Sequence, residues 1–248
     1  MSLQACADLV RQSDPDRFLA AMAAPVAARE VLFPLYAFNV EVSRAPWVTA
    51  EPMIAEMRLQ WWRDVLGEIR AGGPVRRHEV VDALAPVLDG AACDLLDALI
   101  EARRWDIYSE PFEDAEAFDR HIGATSGNLF WVAARALDPS ADEAAVRGRG
   151  WAAGLANWFL AVPELEARGR MPLPDGRADA VRDWAEDGLR RLGAGPVSRG
   201  ARPAVLAAWR ARGVLKRAAA DPGRVAAGAL RESEFRRRFS LLRATFTG

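Results

Sequence analysis

EPMIAEMRLQWWRDVLGEIRAGGP, residues 51–74, decides the fold class. Pro52 suits a first helical position, where its missing N–H has no intrahelical partner to lose. Ile54, Met57, Trp61, Val65 and Ile69 then recur every three or four residues until Gly72-Gly73-Pro74 stops the pattern. That spacing predicts one amphipathic helix, with Trp61 and Trp62 shared between core and boundary. The same period runs through about 77–88, 91–108, 113–137, 142–161, 177–191, 203–219 and 224–246. Gly193-Ala194-Gly195-Pro196 and Asp221-Pro222-Gly223 punctuate it. No alternating runs joined by hairpin turns compete, and no repeat of 20–50 residues suggests a solenoid. The expectation is an all-α chain with more helices than a four-helix bundle. One stretch resists it. Residues 32–42, Leu32-Phe33-Pro34-Leu35-Tyr36-Ala37-Phe38-Asn39-Val40-Glu41-Val42, are aromatic and β-branched. They also carry a proline that costs about 3 kcal/mol inside a helix, so local chemistry alone predicts a short strand there.

With 248 residues, 51% of them hydrophobic, the chain can bury a large core as a single domain over 1–248, without disulfides or a structural metal. Cys6 and Cys93 stand in unrelated contexts, and His78 and His121 complete no ligand spacing, which excludes zinc chemistry. The first residues show no basic start followed by an apolar run, and no stretch approaches about 18 uncharged apolar residues. A cytoplasmic protein without a membrane span is expected. The formal net charge of −1 conceals an asymmetry, because residues 199–248 hold 12 basic and 3 acidic side chains against 21 and 31 before them. Lys216 is the only lysine, the other basic residues being arginine. A slightly acidic chain without a recognised binding motif is a poor nucleic-acid partner.

Candidate chemistry is sparse. G-x-S-x-G is absent, and neither histidine has a triad setting. His121 reads as a satisfied core or boundary residue, beside Gly123 and Gly127, which allow a close helix contact. The acidic pairs Asp64/Glu68 and Asp97/Glu101 and the triple Asp179/Asp183/Asp187 share helix faces, as a bound cation or an ordinary solvated face would have them, and the latter is expected. Arg168 and Arg170 flank Gly169 at a helix end, where two guanidiniums either grip a phosphate or lie in a solvated loop.

Taken together, four segments resemble the squalene/phytoene synthase family. Arg29 to Phe38 is similar to its Arg…Leu-Tyr-Ala-Phe opening, and Arg58-Leu59-Gln60-Trp61-Trp62-Arg63 to its next helix. Gly123 to Leu129 is similar to its central small-residue helix, and Asn157 to Pro174 to its second signature, ending Gly-Arg-x-x-Leu-Pro. The match spans about residues 17–175 in the right order. It implies an isoprenoid synthase-like helical fold, followed by a basic helical portion over 199–248.

Active members join two prenyl diphosphates head to head, using Mg²⁺ held by two Asp-x-x-x-Asp pairs. Carried over residue by residue, those positions are Ser43, Trp47, Ala161 and Leu165 here, so all four carboxylates are missing, and tryptophan, alanine and leucine offer a hard cation no ligand. The nearest acids, Glu41 and Glu164, are rotated away around their helices. The departures are similar to a non-catalytic branch whose mitochondrial member assists assembly of respiratory complex I. That resemblance implies an assembly or accessory factor without catalytic residues or cofactor. A protein partner is implied, possible complex I subunits among them, along with a prenyl or lipid ligand. Arg29, Tyr36, Asn39, Arg58, Asn157, Arg168 and Arg170 would line the former cavity. The alternative is an active Mg²⁺-dependent prenyltransferase using displaced acids. A third reading is peripheral contact with the inner membrane. In it Leu230, Phe235, Phe239, Leu242 and Phe246 form an apolar stripe beside Arg236, Arg237, Arg238 and Arg243. Such a helix either lies on anionic lipid or closes the fold, and packing is the expected fate.

Overall fold

The stretch that local chemistry marks as a strand is the centre of a helix. The computed structural model describes residues 2–49, 51–108 and 110–247, without the side chains of Glu234, Arg236, Phe246 and Thr247. No strand occurs among the described residues. The chain opens with two helices that periodicity did not single out, α1 (Ser2–Ser13) and α2 (Pro15–Ala23), and enters α3 (Val26–Arg44). In α3, Leu32 through Val40 are all buried, with Val42 beyond them. A helix apolar on every side belongs inside a bundle, and α1, α2, α5 (Glu79–Leu84) and α9 (Asn128–Leu137) surround it. Burying large side chains at roughly 1.5–3 kcal/mol each outweighs the proline penalty at Pro34.

Elsewhere the sequence signals act as read, with breaks where capping intervenes. Helix α4 (Pro52–Ala71) begins at its proline and ends at Gly72, which takes the left-handed φ of 67°. Asp89, Asp114 and Asp142 accept backbone N–H bonds at 2.6–2.8 Å to start α6 (Gly90–Ala102), α8 (Ala115–Ile122) and α10 (Glu143–Ala167). The 91–108 pattern breaks into α6 and α7 (Trp105–Tyr108), and 113–137 runs from α8 through a five-residue π segment, Gly123–Gly127, into α9. Helix α10 continues six residues past the expected end, through Pro163, because Val162 and Leu165 are still buried. Next come α11 (Ala178–Gly193), α12 (Arg202–Val205) and α13 (Ala211–Ala220).

The expected helix over 224–246 is two elements, α14 (Gly223–Ala226) and α15 (Glu234–Thr247). Arg217 holds the connection between them, donating to the Leu230 carbonyl at 2.9 Å and to Glu232 at 2.6 Å. Leu230 is therefore buried apart from the stripe it was expected to continue. Asp16 on α2 fastens α15, accepting from Arg237 Nε at 2.8 Å, and also pairs with Arg210. The expectation that the α15 stripe packs as the closing face is overturned: Phe235, Phe239 and Leu242 are 80%, 60% and 55% exposed. Phe246 and Arg236 lie outside the described side chains.

The acidic pairs are engaged by arginines. Asp97 and Glu101 hold Arg63 of α4 at 2.7 and 3.0 Å, and Glu68 holds Arg76 through its backbone N–H and its guanidinium. His78 caps α5, its Nδ1 accepting from the Val80 N–H at 3.2 Å, and it sits against Trp61 and Trp62.

Candidate functional site

Two helix ends meet at the mouth of the bundle. Helix α3 runs into a 3-10 turn, Ala45–Trp47, which sets the indole of Trp47 at the surface. Helix α10 stops at Gly169, whose φ of 77° reverses the chain so that the residues on both sides of it return to that indole. The Arg168 and Arg170 guanidinium carbons lie 4.7 and 4.5 Å from the Trp47 ring centroid. Arg168 also donates to Glu164 at 2.6 Å. Arg170 also donates to the carbonyls of Trp105 and Asp106, and burial holds its pKa below the ordinary arginine range.

Below this contact the space is filled with rings. Trp105 and Phe112 stack at 4.6 Å, and Trp158 of α10 lies 5.3 Å from Trp105 and donates its Nε1–H to the Pro172 carbonyl at 2.9 Å. Met53, Met57, Tyr108 and Met171 are exposed. Replacing Trp47 with alanine removes both ring contacts and is expected to cost about 1–2 kcal/mol in urea unfolding. An unchanged midpoint would show the stacking to be incidental.

The other candidates are spread over the fold. Arg29 lies about 21 Å along the α3 axis from Ser43. There it donates to the Met22 and Ala24 carbonyls at 2.8 and 3.4 Å, closing the corner between α2 and α3. Tyr36 and Asn39 are core residues of α3, and burial pushes the Tyr36 phenol pKa up despite the Arg17 guanidinium over its ring. Arg58 and Asn157 face outward. Of the seven, Arg168 and Arg170 alone share one partner at the mouth, and that partner is Trp47, which sequence reasoning treated as a missing carboxylate. Pairing across more than a hundred residues leaves no local signal.

Two adjoining grooves, of about 480 and 430 Å³, lie away from the mouth, around Pro86, Val87 and Ala136.

The sequence profile of one family, Squalene/phytoene synthase, matches residues 10–231. This chain belongs to the squalene/phytoene synthase family. A dehydrosqualene synthase crystallised with ligand superposes over 99% of this chain and 95% of its own, with a TM-score of 0.75 at 14% identity. A squalene synthase of Alicyclobacillus acidocaldarius covers 99% and 90% at 0.63 and 16%. These likenesses establish the isoprenoid synthase fold. Among curated proteins, NADH dehydrogenase (ubiquinone) complex I assembly factor 6 of Bos taurus is 25% identical over 173 residues, 68% of this chain and 52% of its own. The Homo sapiens counterpart is 24% identical over the same span. In the Drosophila melanogaster homologue 60 residues match at 43%, 24% of this chain and 18% of its own. The chain thus spans about half the length of the mammalian relatives it matches.

At the positions to which the resemblance carries the family's Mg²⁺-holding carboxylates, this chain has Ser43, Trp47, Ala161 and Leu165. Ser43 donates its hydroxyl to the Val40 carbonyl at 3.1 Å, Leu165 lies in the core, and Ala161 packs against it. Glu164 is engaged by Arg168. Among the described residues no three His, Cys, Asp or Glu side chains come together where they could hold an ion. A hard cation needs several oxygen ligands, and Trp47 presents an indole in contact with two arginines instead.

The family's small-residue helix is put to structural use. Ser126 donates to the Gly150 carbonyl of α10 at 2.7 Å, and Asn128 bridges the Leu95 carbonyl and Arg147 at 2.9 and 2.6 Å. Thr125 bonds back to the His121 carbonyl, consistent with the local π widening.

Proposed function

We propose that this chain is a catalytically degenerate member of the family, acting as an assembly or accessory factor of the complex I type. The observation that carries the reading is the Trp47 indole against Arg168 and Arg170, where the family pattern places a carboxylate. Ionising an allylic diphosphate requires positive charge free to meet the departing oxygens. Here the two guanidiniums nearest that position are held by an indole, a carboxylate and backbone carbonyls. The names of the matched relatives supply the complex I direction, and the exposed Met53, Met57 and Met171 suit contact with a protein surface, since their flexible side chains adapt to a partner's shape. The partner would be one or more complex I subunits. A prenyl or lipid tail remains part of the reading, with the two grooves beside Pro86 as its candidate seat.

The test is incubation of the purified full chain with farnesyl and geranylgeranyl diphosphate, with and without Mg²⁺, beside an active synthase. No pyrophosphate release above background is expected, and cells lacking the chain are expected to lose complex I activity until it is restored. Magnesium-dependent turnover, or undiminished complex I activity, defeats the proposal.

A further inference from the structure

Helix α15 is mounted with its apolar stripe outward. At 100° per residue, Phe235, Phe239 and Leu242 fall within about 60° of arc. They are among the most exposed large apolar side chains of the protein, and the two phenylalanine rings stack at 6.5 Å. The opposite face, with Ser240, Leu241 and Ala244 half-buried, turns to the body, where Arg237 is fastened to Asp16. Exposed Arg238 and Arg243 lie roughly 70° to either side of the stripe. An ordinary surface helix buries its apolar stripe and shows its charges; this one shows both together.

We infer that α15 is a docking helix for an anionic bilayer surface, with the stripe entering the boundary between headgroups and acyl chains and the exposed Arg238 beside it reaching lipid phosphates. The choice of occupant follows from charge and area. Helix α15 and the residue after it carry four arginines against one acid, Glu234 at its first position. A second copy would bring arginine against arginine, and three side chains fall well short of the roughly 800 Å² per partner that a stable protein interface buries. An interfacial helix has the opposite requirements: a short apolar stripe, cationic flanks with apolar stems, and a negatively charged partner. Among the described residues no helix is long and apolar enough to cross a membrane, so contact of this kind would lie on the surface. The inference does not depend on the accessory-factor reading.

The experiment is co-sedimentation of the full chain with vesicles of phosphatidylcholine alone and of phosphatidylcholine containing phosphatidylglycerol. Two variants accompany it, the triple Phe235→Ser/Phe239→Ser/Leu242→Ser and the single Arg238→Glu. Because the altered side chains are exposed, both should keep the wild-type circular dichroism and melting temperature. Binding is expected to the anionic vesicles, weakened about ten-fold or more on going from about 50 to about 500 mM NaCl and by the triple change, and several-fold by Arg238→Glu. Equal binding to neutral vesicles, or no binding to anionic ones at low salt, overturns the inference. So does a wild-type dimer in light scattering that the triple variant converts to monomer, which would make the stripe a self-interface. Lipid binding is read without prenyl diphosphates or complex I, so its failure is distinct from failure of the accessory-factor reading.

Discussion

Acidification from pH 7.5 to pH 4 costs the wild-type protein about 3 kcal/mol more stability than it costs His121→Leu. His121 is 6% exposed, its ring centroid 5.1 Å from Trp158 and 5.2 Å from Phe112, and its Nε2 is buried without a partner. Burial pushes its pKa from 6.5 down to about 3, helped by the nearby Arg103 guanidinium and opposed by a hydrogen bond to the Ala102 backbone. As pH falls through 6.5 the unfolded chain takes up a proton that the folded chain refuses until about pH 3. The stability is whole above 6.5 and drains away through that window. Asp106 works the other way. It is also buried, its carboxyl pKa is raised by desolvation against the pull of Arg103, and the folded state protonates first. Asp106 is common to both proteins, so their difference isolates the histidine. Urea unfolding at stepped pH, each protein referred to its own value at pH 7.5, gives the measurement, and parallel curves would falsify the assignment.

Gly154→Ala is expected to destabilise by about 2–3 kcal/mol, although alanine is the better helix former. A Cβ at Gly154 would stand 2.6 Å from the Ser126 Cβ and 3.0 Å from the Ile122 Cγ2, neither of which can swing aside. Helix α10 must move off the π segment, stretching the buried bond from Ser126 to the Gly150 carbonyl. Gly150 is as tight, with Phe130 at 2.8 Å and the Gly127 Cα at 3.1 Å. Gly123→Ala is the control. Its Cβ would meet nothing closer than Trp151 at 4.0 Å, so the change is expected to be neutral or to stabilise by up to about 1 kcal/mol. Equal midpoints in urea for the two variants would remove close packing as the cause. The glycines at 123 and 127 signalled a tight contact in the sequence, but in that contact the residues with no room for a side chain are Gly150 and Gly154 on the facing helix.

The same division runs through the whole protein. Pro52 and Gly72 bound α4 because both act through backbone geometry within one turn, and such effects are written in neighbouring residues. The order of four family segments likewise made the isoprenoid synthase fold legible, and the profile over residues 10–231 agrees with it. Tertiary structure decided the rest. Residues 32–42 became helix because α1, α2, α5 and α9 enclose them, an environment that local propensity does not contain. Trp47 met Arg168 and Arg170 because two helices end side by side. Phe235, Phe239 and Leu242 shared a stripe in the sequence, but its outward direction was not written there. An amphipathic pattern specifies which residues share a face, whereas which way that face turns is settled here by the pairing of Arg237 with Asp16, more than two hundred residues away.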